Sequence, residues 1–431
     1  MASQRIVFVG AFVASAGDNT TGGVGFACRS LVGSRLSQSV EWLTIENTMR
    51  SQPPPGLAVR SWDAARRIAQ LARHLAGRRV DAFLAFTPFT TTSLLEKGTM
   101  ALMARAAGKR VVLSIRSEVR PEAADPSLSN FKRRVFHACD VVLCQGPQAA
   151  TALRERFDLP DDKVQICPNW IDLEAFESVR RRRADRTLAD RALADRALAD
   201  RALADRANAD GALADGAKAS GGDRPLVFLF VGWLEPFKGL PELLEACGRL
   251  TAEGRDFRII FCGGGSLADD AWAQCERLGF ADKADFRGWV FGEDKLRAFA
   301  EADVLVLPSH SEGMPNAILE SMACGLAAIG TRVGGIPTLI EDGETGLLID
   351  KEDVGQLTDA MRTLLDDPTR AMRFGAAAES RARRNHDIEA LVPRIAAALG
   401  VDLAAADGRP AETPAAQTGP PERPGAQSSP E

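Results

Sequence analysis

Short apolar runs alternate with longer stretches of helical period along most of this chain, and few folds absorb that alternation. In the first half the runs are Arg5 to Phe12, Asp81 to Phe86, Arg110 to Ile115 and Asp140 to Cys144. In the second half they are Leu226 to Val231, Phe257 to Cys262 and Val304 to Leu307. Each is almost continuously hydrophobic, as a strand is when both faces of its sheet are covered. Between them lie stretches such as Trp62 to Leu75, with apolar residues at helical spacing. Strand and helix repeated in this way predict an α/β chain of parallel, doubly wound sheets. Ligands of such sheets sit beyond the carboxyl ends of the strands, here in a cleft between two domains.

A tandem pentapeptide separates the halves. Arg186 to Asp215 reads RTLAD, three copies of RALAD, RANAD and GALAD. Five residues advance about 140° around a helix of 3.6 residues per turn, so the leucines spiral and form no stripe to bury. The repeat reads as a linker, partly helical or disordered, that does no chemistry. The alternative is a basic arm, with Arg180 to Arg183, that docks on a membrane or an acceptor. The organisation expected is a first domain over 1–178, a linker over 179–224, a second domain over 225–400, and a disordered tail over 401–431, rich in Pro, Ala, Gln and Ser.

Composition excludes several classes. Hydrophobic residues make up 45% and charged residues 26% of the 431, and Gly and Pro are at ordinary levels, so collagen-like, coiled-coil and wholly disordered chains are ruled out. A net charge of −5 argues against nucleic acid as partner. Residues 1–172 carry 22 Lys and Arg against 15 Asp and Glu, while residues 225–400 carry 18 against 28. The basic first half suits peripheral contact with an anionic membrane or acceptor, or is simply a solvated arginine-rich surface. The eight cysteines show no C-x-x-C pair, so buried reduced thiols in a reducing, cytoplasmic compartment are expected and a zinc site is not. Ile6 to Ala14 followed by Ala14-Ser15-Ala16-Gly17 has the outline of a signal peptide. A first strand running into a loop with Gly22, Gly23 and Gly25 is the reading preferred here, and no run reaches the ~20 apolar residues of a membrane span.

The stretch from Pro308 to Gly325 carries most of the chemistry. It leaves the strand Val304 to Leu307, turns at Gly313, and begins a helix near Pro315, a residue suited to the first helical position. The free amides around Met314, Asn316 and Ala317 then lie at the positive end of a helix, a site for an anion such as a diphosphate. Glu312 and Glu320 flank that site. Taken singly, Glu320 is an ordinary first-turn charge and Glu312 an ordinary loop acid.

Together they form a larger pattern. Glu312, seven residues, then Glu320, within S-E-G-M-P-N-A-I-L-E-S-M-A-C-G, resembles the signature of glycosyltransferase family 4. The resemblance continues through Gly330 to Pro337, Ile340 to Leu348, and Phe230 to Gly239 with a phosphate-binding lysine, Lys238. Gly263-Gly264-Gly265-Ser266 and Phe286 to Val290 follow in family order, and Cys167 to Asp172 with Phe176 resembles the segment that closes the first domain. It implies a GT-B fold, two Rossmann-like domains with a sugar nucleotide held mainly by the second. It also implies transfer of a hexosyl unit, with retention, from a nucleoside-diphosphate sugar to a glycan or lipid-linked acceptor, in cell-surface polysaccharide biosynthesis and with no metal or other cofactor. By the same resemblance Glu320 holds the ribose, Lys238 the diphosphate and Glu312 the transferred sugar. Gly232, Gly264, Gly313, Met314, Asn316, Ala317, Gly23 and Arg116 complete the expected donor site.

The chain departs from the family pattern at two cations. Trp233 stands where an arginine is common, and Arg116 where a histidine is common. Arg116 either supplies the missing positive charge across the cleft or forms a surface salt bridge with Glu118. His310 has no partner at a triad-like spacing and reads as loop structure. Two other functions share these features: a catalytically silent sugar-nucleotide-binding or scaffold protein, and a GT-B epimerase.

Overall fold

The computed structural model describes residues 3–12, 22–47, 56–77, 79–119, 129–189 and 224–403. Two six-stranded, wholly parallel sheets organise them. The first contains β1 (Gln4–Gly10), β2 (Val40–Glu46), β3 (Ala82–Thr87), β4 (Arg110–Ile115), β5 (Val141–Cys144) and β6 (Val164–Ile166), in the order β2-β1-β3-β4-β5-β6. The second contains β7 (Leu226–Val231), β8 (Phe257–Cys262), β9 (Ala284–Phe286), β10 (Val304–Leu307), β11 (Ala327–Thr331) and β12 (Gly346–Ile349), in the order β12-β11-β10-β7-β8-β9. All of the apolar runs named from sequence are strands. The central ones are buried along their length: Ile6 to Val9, Phe83 to Phe86, Phe228 to Phe230 and Val304 to Leu307.

The strand orders locate the ligand crevice. In the second sheet the chain enters at β7, winds outward through β8 and β9, and returns to pair β10 against β7 before winding the other way. Loops leaving β7 and β10 therefore diverge to opposite faces, and the gap between them is where doubly wound sheets take ligands. Lys238 follows β7 and Glu312 follows β10.

Packing moves the expected boundaries. Helix Ile388–Leu399, assigned from sequence to the second domain, returns to the first. Its Ile388, Leu391, Val392 and Ile395 share a core with Ile6, Phe8 and Leu84, and Arg110 Nε donates to Ala398 O at 2.7 Å. An amphipathic helix goes where its apolar face is covered, not where its neighbours in sequence sit. The start of the supposed linker is likewise folded. Residues 177–189 are helical, and Val179 is fully buried in the second domain's core. Arg180 donates to Ala323 O at 2.9 Å and Arg183 to Ala302 O, while Arg181 and Arg182 pair with Glu177 and Glu293. Arg186, the first residue of the repeat, pairs with Asp303 at 2.7 Å. The four arginines are thus committed to carbonyls and carboxylates at helix ends and are no free basic arm. The rest of the repeat and the tail from 404 lie outside the described residues, as do 13–21.

The glycines after β1 are also placed differently from expectation: Gly22, Gly23 and Gly25 belong to helix Gly22–Gly33 rather than to a loop. All eight cysteines are free and buried. Among the described residues no helix is long and apolar enough to cross a membrane.

Where the two domains meet, His386 is buried and its Nδ1 donates to Asn169 O at 2.9 Å. Burial lowers its pKa from 6.5 to about 4. Above pH 6.5 the ring is neutral folded or unfolded; as pH falls from 6.5 towards 4 only the unfolded chain takes the proton, so stability is lost over that window. The loss is on the order of 3 kcal/mol by pH 4. Urea titrations of the wild type and His386→Gln at pH 7 and pH 4.5 should therefore show the variant losing about 2–3 kcal/mol less than the wild type between the two.

Candidate active site

A cleft of about 800 Å³ opens between the carboxyl ends of the two sheets. Its second-domain wall begins after β7, where Gly232 and Trp233 lead to a single 3-10 turn, Pro236–Lys238. Two contacts fasten that turn to the loop after β10. Gly239, at φ 71°, packs so closely that a Cβ would stand 2.0 Å from Pro308 O, and His310 N donates to Phe237 O at 2.9 Å. The fastening brings Lys238 Nζ to 2.5 Å from Glu312 Oε1, which also accepts from Ser309 Oγ at 3.0 Å. Lys238 and Glu312 are 74 positions apart in sequence, and this pair is largely shielded from water.

The loop then runs through Gly313 and Met314 to helix Asn316–Ala323. Pro315 is its N-cap in extended conformation, one position earlier than expected, and no side chain caps the helix. Asn316 and Ala317 of its first turn line the cleft, and helix-start amides that no side chain caps favour an anion. Gly313 O is fixed by Gly335 N at 2.6 Å, which ties the G-T-R-V-G-G-I-P segment to the site. One turn into the helix, Glu320 Oε1 lies 2.6 Å from Lys295 Nζ. Lys295 comes from helix Gly292–Glu301 and was not singled out in sequence. Its only signal there is being the one base in an acidic first turn, Gly292-Glu293-Asp294-Lys295.

The first-domain wall comes from the ends of β4 and β5, from helix Gly22–Gly33 and from Asn169. Arg116 is buried, lies 4.4 Å from the Phe86 ring centre and 4.0 Å from that of Trp170, and donates from Nη1 to Asn169 Oδ1 at 2.9 Å. It makes no salt bridge with Glu118, because it turns inward; Glu118 Oε2 instead accepts from Ser311 Oγ across the cleft at 2.7 Å.

Of the residues chosen from sequence, Glu312, Lys238, Glu320, Gly313, Met314, Asn316, Ala317, Gly232 and Arg116 all line the cleft. Gly264 does not. A Cβ there would stand 2.6 Å from Trp289 Nε1, so the missing side chain lets that ring, itself part of the wall, pack against the loop after β8. Gly23 falls in the first turn of its helix, beside Val24, which lines the cleft. Trp233 packs edge-on against Trp289, centres 4.8 Å apart. His310 sits behind the Lys238 turn, its Nε2 2.9 Å from Glu242 Oε1, and braces structure. Among the described residues no cluster of three or more His, Cys, Asp or Glu could hold a metal ion.

Comparison with known proteins agrees with this geometry. Residues 44–175 match the family model Glycosyltransferase Family 4, and residues 225–367 match Glycosyl transferases group 1. The chain belongs to glycosyltransferase family 4, and its two sheets facing a cleft are the GT-B fold. Among curated proteins it is 36% identical over 158 residues to the D-inositol 3-phosphate glycosyltransferase of Corynebacterium diphtheriae, a match spanning 35% of this chain and 37% of that one. It is 33% identical over 163 residues to the GDP-mannose-dependent alpha-(1-6)-phosphatidylinositol monomannoside mannosyltransferase of Mycolicibacterium smegmatis, across 36% of this chain and 42% of that one. These matches thus span well under half of the relatives' length. Among solved structures, Anabaena HepE in complex with UDP superposes with a TM-score of 0.62 at 16% identity, over 92% of this chain and 99% of that one. Sucrose-phosphate synthase from Thermosynechococcus elongatus gives 0.64 at 17%, over 91% and 98%.

The Gly239 contact generates a test of how Lys238 is positioned. Gly239→Ala puts a side chain into a left-handed conformation, worth ~1–2 kcal/mol, and against Pro308 O besides. Chemical denaturation should show a loss of at least that size, whereas Gly279→Ala, at φ 76° with open space around its Cβ position, should lose only the conformational part.

Proposed function

We propose that this chain is a retaining glycosyltransferase that moves a hexosyl unit from a nucleoside-diphosphate sugar, bound on the second-domain wall, to a glycan or lipid-linked acceptor held against the first. The observation that carries the reading is the convergence of Lys238, Glu312, the uncapped start of helix Asn316–Ala323 and Glu320 on one cleft at the β7/β10 divergence. In this reading Glu320 accepts from the ribose hydroxyls and the first helical amides, near Met314, Asn316 and Ala317, receive the diphosphate. As the bond from the anomeric carbon to the β-phosphate oxygen breaks, its electron pair stays on that oxygen. The growing charge falls between Lys238 Nζ and the amides, donors that are fixed before the reaction and so favour the transition state over the bound donor. Glu312 holds Lys238 in place at 2.5 Å and offers its other oxygen to the transferred sugar. These cationic and amide donors do the work that a metal ion does elsewhere, so no cofactor is invoked.

The role in cell-surface polysaccharide synthesis and the cytoplasmic membrane-face location are part of the same proposal. Support comes from helix Leu57–Gly77, whose outer side carries Leu57, Val59 and Trp62, the last 73% exposed, together with Arg60 and Arg66. A tryptophan flanked by arginines is chemistry suited to an anionic lipid interface. A silent nucleotide-binding protein is the second reading, favoured by Trp233 in place of a cation and by the neutralisation of both wall lysines.

Hydrolysis of uridine, guanosine and adenosine diphospho-sugars separates the two, because a transferase leaks donor to water and a silent binder does not. With the donor that is hydrolysed, Lys238→Met should lower kcat at least tenfold and raise KM by less. A change in KM alone would make Lys238 a ground-state anchor, and no hydrolysis of any donor would favour the silent reading.

A further inference from the structure

The two walls of the cleft differ in charge in a way that the transfer step leaves unused. On the second-domain wall each lysine already has a carboxylate, Lys238 with Glu312 and Lys295 with Glu320. On the first-domain wall Arg116 has none. Only 7% of the residue is exposed, and the one hydrogen bond of its guanidinium goes to the neutral amide of Asn169. Its Nε and Nη2 are buried without any acceptor. The titratable groups acting on it are the thiols of Cys28 and Cys167. Burial pushes both thiols up, Cys28 to about 12, so neither supplies a negative charge. Arg29, on the same wall, adds a further buried nitrogen, Nη1, with no partner.

A buried guanidinium without an anion is among the costliest groups a fold can hold, and removing it is often neutral or stabilising. The rings of Phe86 and Trp170 hold its plane, and Asn169 takes Nη1. What remains is the edge formed by Nε and Nη2, two parallel N–H groups whose spacing matches two oxygens of one carboxylate or phosphate. A sugar hydroxyl offers one oxygen and no charge, and leaves that edge half satisfied.

We propose that Arg116, with Arg29 on the same wall, forms an anion subsite of the cleft that takes a carboxylate or phosphate group of a substrate through the Nε and Nη2 edge. The inference deepens the transferase reading and rests on it only for the identity of the substrate: either the transferred sugar is acidic or the acceptor is phosphorylated.

Inorganic phosphate is the probe. Its binding to the full chain is measured by equilibrium dialysis for the wild type, Arg116→Met, Arg116→Lys and Lys351→Met, with thermal melting of each. Methionine keeps apolar bulk between the two rings and removes the charge. Arg116→Met should bind phosphate at least tenfold more weakly than the wild type and melt no lower, Arg116→Lys should recover part of the affinity, and Lys351→Met, an exposed cation outside the cleft, should stay within about twofold. Unchanged affinity in Arg116→Met, an equal loss in Lys351→Met, or a melting temperature lowered by several degrees in Arg116→Met would each overturn the subsite, the last by making the guanidinium a structural cation. Competition then names the source. Displacement of phosphate by nucleoside-diphosphate glucuronates, but not by the matching glucosides, assigns the anion to the donor sugar. Displacement by glycerol 3-phosphate with the glucuronates ineffective assigns it to the acceptor. Failure of donor hydrolysis would remove the transferase reading and leave the phosphate comparison intact, so the two fail separately.

Discussion

The amide of Asn169 joins nearly everything that matters in this structure. Its Oδ1 accepts from Arg116 Nη1 at 2.9 Å and from Gln145 Nε2 at 2.8 Å, both in the first domain. Its Nδ2 donates to Met314 O at 2.8 Å, in the loop that carries Glu312 in the second. Its backbone carbonyl accepts from His386, at the point where the chain turns back to the first domain. A buried amide with all these partners is satisfied only when both domains are in this relation, because each lost bond leaves a polar group stranded away from water. The cleft's width and the placement of its cation therefore depend on one side chain.

From that junction the electrostatics of the cleft follow. The second-domain wall is internally neutralised, since Lys238 and Lys295 are held by Glu312 and Glu320, and pre-formed pairs keep the lysines from folding into other positions. The first-domain wall keeps an unneutralised guanidinium, held in place by ring faces and one amide oxygen. A fold stores such a charge where a ligand completes it. The asymmetry agrees with a donor that meets paired lysines and with a further anion that meets Arg116.

The sequence was a good guide wherever the information is local. A strand covered on both faces has to be apolar throughout, so β1, β3, β4, β5, β7, β8 and β10 were all legible. The short edge strands β6 and β9, of three residues each, had too little pattern to show. The loop from Glu312 to Glu320 was legible because a turn, an N-terminal proline and two acids fall within one segment. Pairings across the chain were not legible: nothing near Glu320 points to Lys295, 25 positions away on another helix. The sequence leaves Arg116 either a cation of the cleft or a surface partner of Glu118; the strand end turns one inward and the other across the cleft, so the two do not pair. Helix Ile388–Leu399 was assigned to the wrong domain because its apolar stripe says that it packs, and not on what. Nothing in the sequence near Gly264 points to the ring of Trp289 that its missing side chain admits.

In the proposed reading the second-domain wall holds a nucleoside diphosphate with Glu320 on its ribose. Calorimetric titration of the wild type and Glu320→Ala with UDP, GDP and ADP tests it most directly. A charge-assisted hydrogen bond is worth ~1.5–3 kcal/mol, so the account predicts that the nucleotide bound by the wild type binds the variant roughly 10- to 100-fold more weakly. Equal affinity in the two proteins, or no binding of any of the three to folded wild type, would contradict it.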